Sequence, residues 1–225
     1  MFVGHYAAAL AAEAAEPRAP FWTYVAGCQL LDIGWSSLVM AGVEKVRIDP
    51  SLPGSPLDLY YMPFTHSLPA ALLWSAAATG VGKWALKLPW AASVVIGAAV
   101  FSHWVLDFLV HRPDLEVLPH GPKVGLAFWN HPMPEMVLEM GLVAVAGAAW
   151  TARRKDQGRT GWPAAAFILL LVLVQMLSSS LGASGTTDPV KTGGMALAVY
   201  LMITAVAALI DRGDTARAAK AAYSL

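Results

Sequence analysis

The stretch Ser102-His103-Trp104-Val105-Leu106-Asp107-Phe108-Leu109-Val110-His111 closes an apolar run that begins near Trp90. An uninterrupted run of this length and character reads as a membrane helix. A helix advances about 100° per residue, so His103 and Asp107 share a face and His111 lies about 80° round from His103. Two imidazoles and a carboxylate on one face of an apolar helix are costly to bury without partners. A metal ion, a proton relay or hydrogen bonds to neighbouring helices would each offset that cost.

The composition extends this reading to the whole chain. Of 225 residues, 57% are hydrophobic and 13% charged, against roughly 25% charged in a soluble domain. Mean hydropathy is +0.55. Fifteen basic residues balance fifteen acidic ones, so no basic face points to nucleic acid. Cys28 is the single cysteine, which excludes an intrachain disulfide and a cysteine metal cluster. The N-terminus lacks the basic start of a signal peptide, and Glu13 and Glu16 follow its apolar part. The expected fold is all-α: one integral membrane domain over 1–225, a polytopic bundle of about six membrane helices plus a short N-terminal helix.

Outward from the opening stretch, residues 1–16 are Ala-rich and read as a helix, ended by Pro17-Arg18-Ala19-Pro20. A second helix is expected from Phe21 to about Val43. If 17–20 is a tight turn, His5 and Asp32 are equally far from it and sit at one height on adjacent helices. Residues 44–62 read as a polar, Pro-rich connection with Tyr60 and Tyr61 at the membrane interface. A short helix is expected from about Phe64 to Thr79, with His66 in its first turn, followed by a basic turn over 80–88. The Pro89–Val110 helix stops at Arg112-Pro113. Residues 112–132 read as a loop containing His120 and His131. Further spans follow at about Pro134–Trp150, with Glu135 and Glu139 near its start, at Pro163–Leu181, with Gln175 and Ser178 to Ser180 at its far end, and at Met195–Ile210. Asp211 to Leu225 read as a short polar tail or a continuation of that helix.

Alternating the connections puts Arg18, Lys83, Lys87, Arg153, Arg154, Lys155, Arg159, Arg212, Arg217 and Lys220 on one side. Lys45, Arg47, Arg112, Lys123 and Lys191 fall on the other. The twofold bias places the first set in the cytoplasm. His66, His111, Glu135 and Met1 then all lie towards the outer side. Residues 1–132 are the half expected to hold a metal site, and 133–225 read mostly as generic membrane helices.

The candidate metal ligands are His5, Asp32, His66, His103 and Asp107, with His111 near. Imidazole and carboxylate form the ligand set of catalytic zinc and related divalent ions. Three His and two Asp suffice for one tight site or a closely spaced pair. Thr65-His66-Ser67-Leu68, followed by Ser102-His103-x-x-x-Asp107, resembles the family of bacterial membrane-bound metal-dependent hydrolases. His5 and the segment Gly27-Cys28-Gln29-Leu30-Leu31-Asp32-Ile33 fit the same pattern, and the resemblance covers roughly residues 1–120. It departs at Leu31-Asp32-Ile33-Gly34, where the family often has Pro-Asp-x-Asp, and at Met62-Pro63-Phe64, where it commonly has Arg-Gly before Thr-His-Ser.

The resemblance implies a hydrolase of the bacterial inner (plasma) membrane with a divalent metal, zinc or else manganese. Its ion would activate a water beside Asp107 or Glu135 as proton acceptor, with His111, Glu139, Thr65 and Ser102 around the ligands. Location among apolar helices suggests membrane lipid as the surroundings and an amphiphilic, lipid-like ester as substrate. The His-x-x-x-Asp pair alone also fits lipid phosphatases, but the Lys/Arg-rich phosphate cradle and Pro-Ser-Gly-His segment are absent. The rival readings are a transporter relaying protons or metal, which needs polar groups through the cytoplasmic half, and a non-catalytic membrane scaffold.

Overall fold

A computed structural model describes residues 1–118, 120–182 and 186–222, with the side chains of 180–182 and 215–222 left out. Ser180, Arg217 and Lys220 of the sequence reading therefore lie outside the described side chains. The chain is an all-α bundle with two small β-hairpins at one end. Among the described residues, four helices are long and apolar enough to cross a membrane: α5 (Trp90–Val110), α6 (Pro132–Asp156), α7 (Trp162–Gly182) and α8 (Pro189–Ala222). These four fall short of the expected six because the stretch from Phe21 is broken in two and α4 (Leu68–Gly80) has only 13 residues.

The N-terminal stretch forms a 3₁₀ turn at Val3–His5 and then α1 (Tyr6–Ala15). At ten residues α1 is about 15 Å long, half a hydrocarbon thickness. The expected single helix from Phe21 is two: α2 (Phe21–Cys28) and α3 (Leu30–Met40), broken at Gln29, whose φ of −110° and ψ of 8° leave the helical range. At that break the Cys28 carbonyl turns to His103.

The third stretch also differs from expectation. α4 (Leu68–Gly80) begins after His66, because Ser67 is its N-cap and accepts from the Ala70 N–H at 3.3 Å. His66 thus precedes the helix instead of lying in its first turn. The expected basic turn after α4 is a π-helical continuation, Val81–Ala85. Helices α4 and α5 meet closely at Gly97, where a Cβ would stand 2.8 Å from the Ser75 carbonyl oxygen.

The connections, which read as loop in the sequence, also hold regular structure. Residues 45–61 form an antiparallel hairpin, β1 (Lys45–Ile48) and β2 (Leu57–Tyr61), with an irregularity between Lys45 and Arg47. A second hairpin pairs β3 (Leu115–Glu116) with β4 (Lys123–Val124). Arg112 ties the two regions together by donating to the carbonyls of Pro53, Ser55 and Leu57. The Pro163–Leu181 span is found within one residue at each end, whereas α6 and α8 run past theirs, α8 from Pro189 through the tail to Ala222.

Two apolar clusters result. The larger joins α1, α2, α5, α6, α7 and α8 through residues such as Leu10, Phe21, Val25, Val100, Phe167 and Ile203. The smaller, with Trp35, Val46, Leu59, Met62, Leu115 and Trp129, lies under the hairpins. At the opposite end Arg154 is buried and paired with Asp214 through two nitrogens, at 2.7 and 3.0 Å. Asp211 accepts the N–H groups of Phe21 and Trp22 and so caps α2 from α8.

Candidate metal centre

Between these clusters, four elements bring histidines and aspartates to one place. α5 supplies His103 and Asp107 from one face, as the spacing predicts. Asp32 comes from the first turn of α3, just past the break at Gln29. His66 comes from the segment before α4, and His5 from the N-terminal 3₁₀ turn. His103, Asp107 and His5 are at most 1% exposed, and His66 is 2% exposed.

Four atoms form a ring. His66 Nε2 lies 3.4 Å from Asp32 Oδ1 and 3.5 Å from Asp107 Oδ2. His103 Nε2 lies 3.5 Å from Asp32 Oδ1 and 3.2 Å from Asp107 Oδ2. Two ligands about 2.0–2.2 Å from one zinc at a tetrahedral angle stand about 3.3–3.6 Å apart. The imidazole–carboxylate spacings therefore fit ligands of a common small ion.

Hydrogen bonding outside the ring fixes which atoms face in. His103 Nδ1 lies 2.7 Å from the Cys28 carbonyl oxygen, which only accepts, so Nδ1 carries the hydrogen. The Thr65 hydroxyl donates to Glu44 Oε2 at 2.7 Å and stands 2.7 Å from His66 Nδ1. Its one hydrogen is committed to Glu44, so His66 Nδ1 is also the donor. In their neutral forms both imidazoles then turn an Nε2 lone pair towards carboxylate oxygens. His103 Nε2 and Asp107 Oδ2 are buried and have no hydrogen-bond partner among the described residues. Acceptors facing acceptors in a buried site are unfavourable, and a cation among them removes the conflict. The buried His and Asp groups can hold a metal ion.

Asp107 works on both sides of this arrangement. Its Oδ1 receives the Met1 amino group at 2.9 Å, His5 Nε2 at 3.1 Å and His111 Nε2 at 3.1 Å. His111 Nδ1 in turn lies 3.0 Å from Asp114 Oδ1, and its ring stacks on Trp129 with centroids 4.0 Å apart. Glu139, on α6, holds the N-terminal segment by accepting the N–H groups of Phe2 at 2.7 Å and Gly4 at 3.0 Å.

Two sets of three residues have ligand atoms close enough for an ion: Asp32, His66 and His103, and His5, His103 and Asp107. Ring orientation separates them. His5 and His103 stack in parallel, 3.6 Å apart and inclined by 4°. Their in-plane lone pairs run side by side and do not meet at one ion. The rings of His66 and His103 are inclined by 68°, which lets their Nε2 atoms converge.

The remaining expected residues divide plainly. Thr65 and Glu139 hydrogen-bond around the site. Ser102 does not: its hydroxyl donates to the Ala99 carbonyl of its own helix at 2.7 Å. Glu135 is half-buried in the first turn of α6, and among the described residues no ion pair of the ring includes it. His120 and His131 are exposed. Glu44, Asp114 and Tyr200 were missed. Tyr200, on α8, donates to Asp32 Oδ2 at 2.9 Å. The sequence signal for Glu44 was a carboxylate just before a membrane connection, and for Tyr200 a lone hydroxyl in an apolar span; neither is specific.

Protein-family models, curated proteins and solved structures contain no match to this chain.

Proposed function

We propose that the chain is a membrane-embedded metal-dependent hydrolase whose ion is held by Asp32, His66, His103 and Asp107. One observation carries this reading: both imidazoles have Nδ1 committed to outward acceptors, so that two lone pairs and two carboxylate oxygens confront one another at 3.2–3.5 Å. Zinc suits this N₂O₂ donor set, with manganese the alternative. When bound, such an ion lowers the pKa of an adjacent water and polarises the bond to be cleaved.

The chain's own groups do the rest. Asp107 Oδ2 faces the ion site while Oδ1 accepts from His5 and His111. His111, between Asp107 Oδ1 and Asp114 Oδ1, links the site to the hairpin end. His5 braces the His103 ring by stacking and stays outside the ligand set. The packed apolar cluster of Leu10, Val25, Val100 and Phe167 beyond the site supports a closed reaction centre over a polar pathway through the bundle. A centre set among membrane spans suits an amphiphilic ester, and the resemblance of Thr65-His66-Ser67 and Ser102-His103-x-x-x-Asp107 to the membrane-bound hydrolases favours a bacterial inner membrane.

Elemental analysis of the detergent-purified protein tests the ligand set. Wild type is expected to carry about one zinc or manganese per chain, retained in His5→Ala and lost in His66→Ala, His103→Ala and Asp107→Ala. No metal in wild type, or full metal in His103→Ala, overturns the reading. Hydrolysis of lipid esters that stops with chelator and returns with zinc tests the activity.

A further inference from the structure

We propose that Tyr200, on the last span, is a positioning residue for the ion site, its hydroxyl fixing Asp32 so that Oδ1 alone faces the imidazoles. This inference rests on the ligand set proposed above. The two oxygens of Asp32 have separate partners: Oδ2 receives the Tyr200 hydroxyl at 2.9 Å, while Oδ1 stands 3.4 Å from His66 Nε2 and 3.5 Å from His103 Nε2.

The carboxylate does not hold this orientation by itself. The terminal torsion of an aspartate is broad and roughly two-fold, so its oxygens exchange places easily. Packing restrains it least of the four ligands: its side chain is 14% exposed, against 3% or less for His66, His103 and Asp107. The other three each have an outward partner that fixes them, namely the Cys28 carbonyl for His103, the Thr65–Glu44 pair for His66, and His5 and His111 for Asp107. Tyr200 supplies the equivalent for Asp32.

Tyr200 is itself well placed to do this. It is 6% exposed, and its ring lies against Phe2 with centroids 5.9 Å apart. Phe2 is held at both backbone groups: its N–H donates to Glu139 and its carbonyl accepts from Gln29 Nε2 at 3.2 Å. Helix α8 comes close to α3 because Gly193 has no side chain; a Cβ there would stand 3.1 Å from the Ser36 carbonyl oxygen. A helix outside the two sequence motifs thus completes the surroundings of the ion site.

The test is the zinc dissociation constant of the full-length chain in detergent, measured by chelator competition on the folded size-exclusion peak. The absorption spectrum of the cobalt-loaded protein is read alongside it. Loss of a hydrogen bond to a ligand typically weakens metal affinity about 10- to 100-fold. Tyr200→Phe, which keeps the ring and removes only the hydroxyl, is expected to weaken zinc binding by that factor and to alter the cobalt spectrum. Leu201→Ala, on the exposed face of the same helix, is expected to change neither. Phe2→Ala removes the supporting ring but leaves the hydroxyl, and its effect is expected to be smaller than that of Tyr200→Phe. Wild-type affinity and spectrum in Tyr200→Phe, or a larger loss in Phe2→Ala, overturns the inference while the ligand set stands. Absence of zinc binding in wild type overturns both.

Discussion

The two halves of the chain use their helices differently. Up to residue 131, one long regular helix, α5, carries His103 and Asp107, and irregular backbone brings the rest to it: the 3₁₀ turn before α1, the break between α2 and α3, and the segment before α4. After residue 131 come three long and uninterrupted helices, α6, α7 and α8. A regular helix closes its own backbone hydrogen bonds and has no carbonyl to spare. The break at Gln29 releases the Cys28 carbonyl for His103, and the delayed start of α4 leaves His66 in the turn that precedes it. In the second half the helices stay regular and contribute through side chains alone, Glu139 and Tyr200. Irregular backbone thus brings Asp32 and His66 to the face of α5 that carries His103 and Asp107, and the regular helices of the second half hold the surroundings in place.

The largest effect that would break this contrast belongs to the first half. His103→Ala is expected to remove the ion altogether, read as metal per chain, whereas an equally disruptive change in the second half leaves it bound. Arg154→Met supplies that counterpart. It breaks the buried pair with Asp214 and is expected to cost about 3 kcal/mol, the lower end for a buried ion pair because Asp214 is partly exposed. Chemical unfolding in detergent measures the loss, with metal content unchanged.

Chelation sharpens the contrast from the ligand side. An ion at a hundred times its dissociation constant stabilises the folded chain by about 2.7 kcal/mol, so its removal is expected to lower the melting temperature of wild type but not of His103→Ala. Thr65→Val removes the hydroxyl that links Glu44 to His66 and is expected to weaken zinc binding about 10-fold, the low end for an outer partner of a ligand. Chelator competition reads it. Ser102→Ala, beside His103 in sequence but bonded only within its helix, is expected to change stability by less than about 0.5 kcal/mol and affinity not at all.

Much of this was legible before any coordinates. The i, i+4 spacing put His103 and Asp107 on one face, and the turn at 17–20 put His5 and Asp32 at one level; in the structure both reach the same cluster. Apolar length gave the four long spans. The break at Gln29 was not legible, because Gly27-Cys28-Gln29-Leu30 has no proline and its break involves the Cys28 carbonyl and a histidine 75 residues away. The hairpin at 45–61 was hidden by its prolines and glycine, which read as loop.

Composition and period by themselves determined that the chain is an apolar helical bundle, and that its costly polar residues gather towards one end. These follow from local properties, since burial in lipid selects residue types and helical geometry sets their spacing. Only the tertiary structure decided that His5 stacks on His103 in parallel while His66 meets it at an angle, that Glu139 holds the N-terminal segment, and that Tyr200 reaches Asp32 from 168 residues away. The physical reason is that a lone pair has a direction, and the direction of each ring and carboxylate is set by hydrogen-bond partners that sequence distance does not encode.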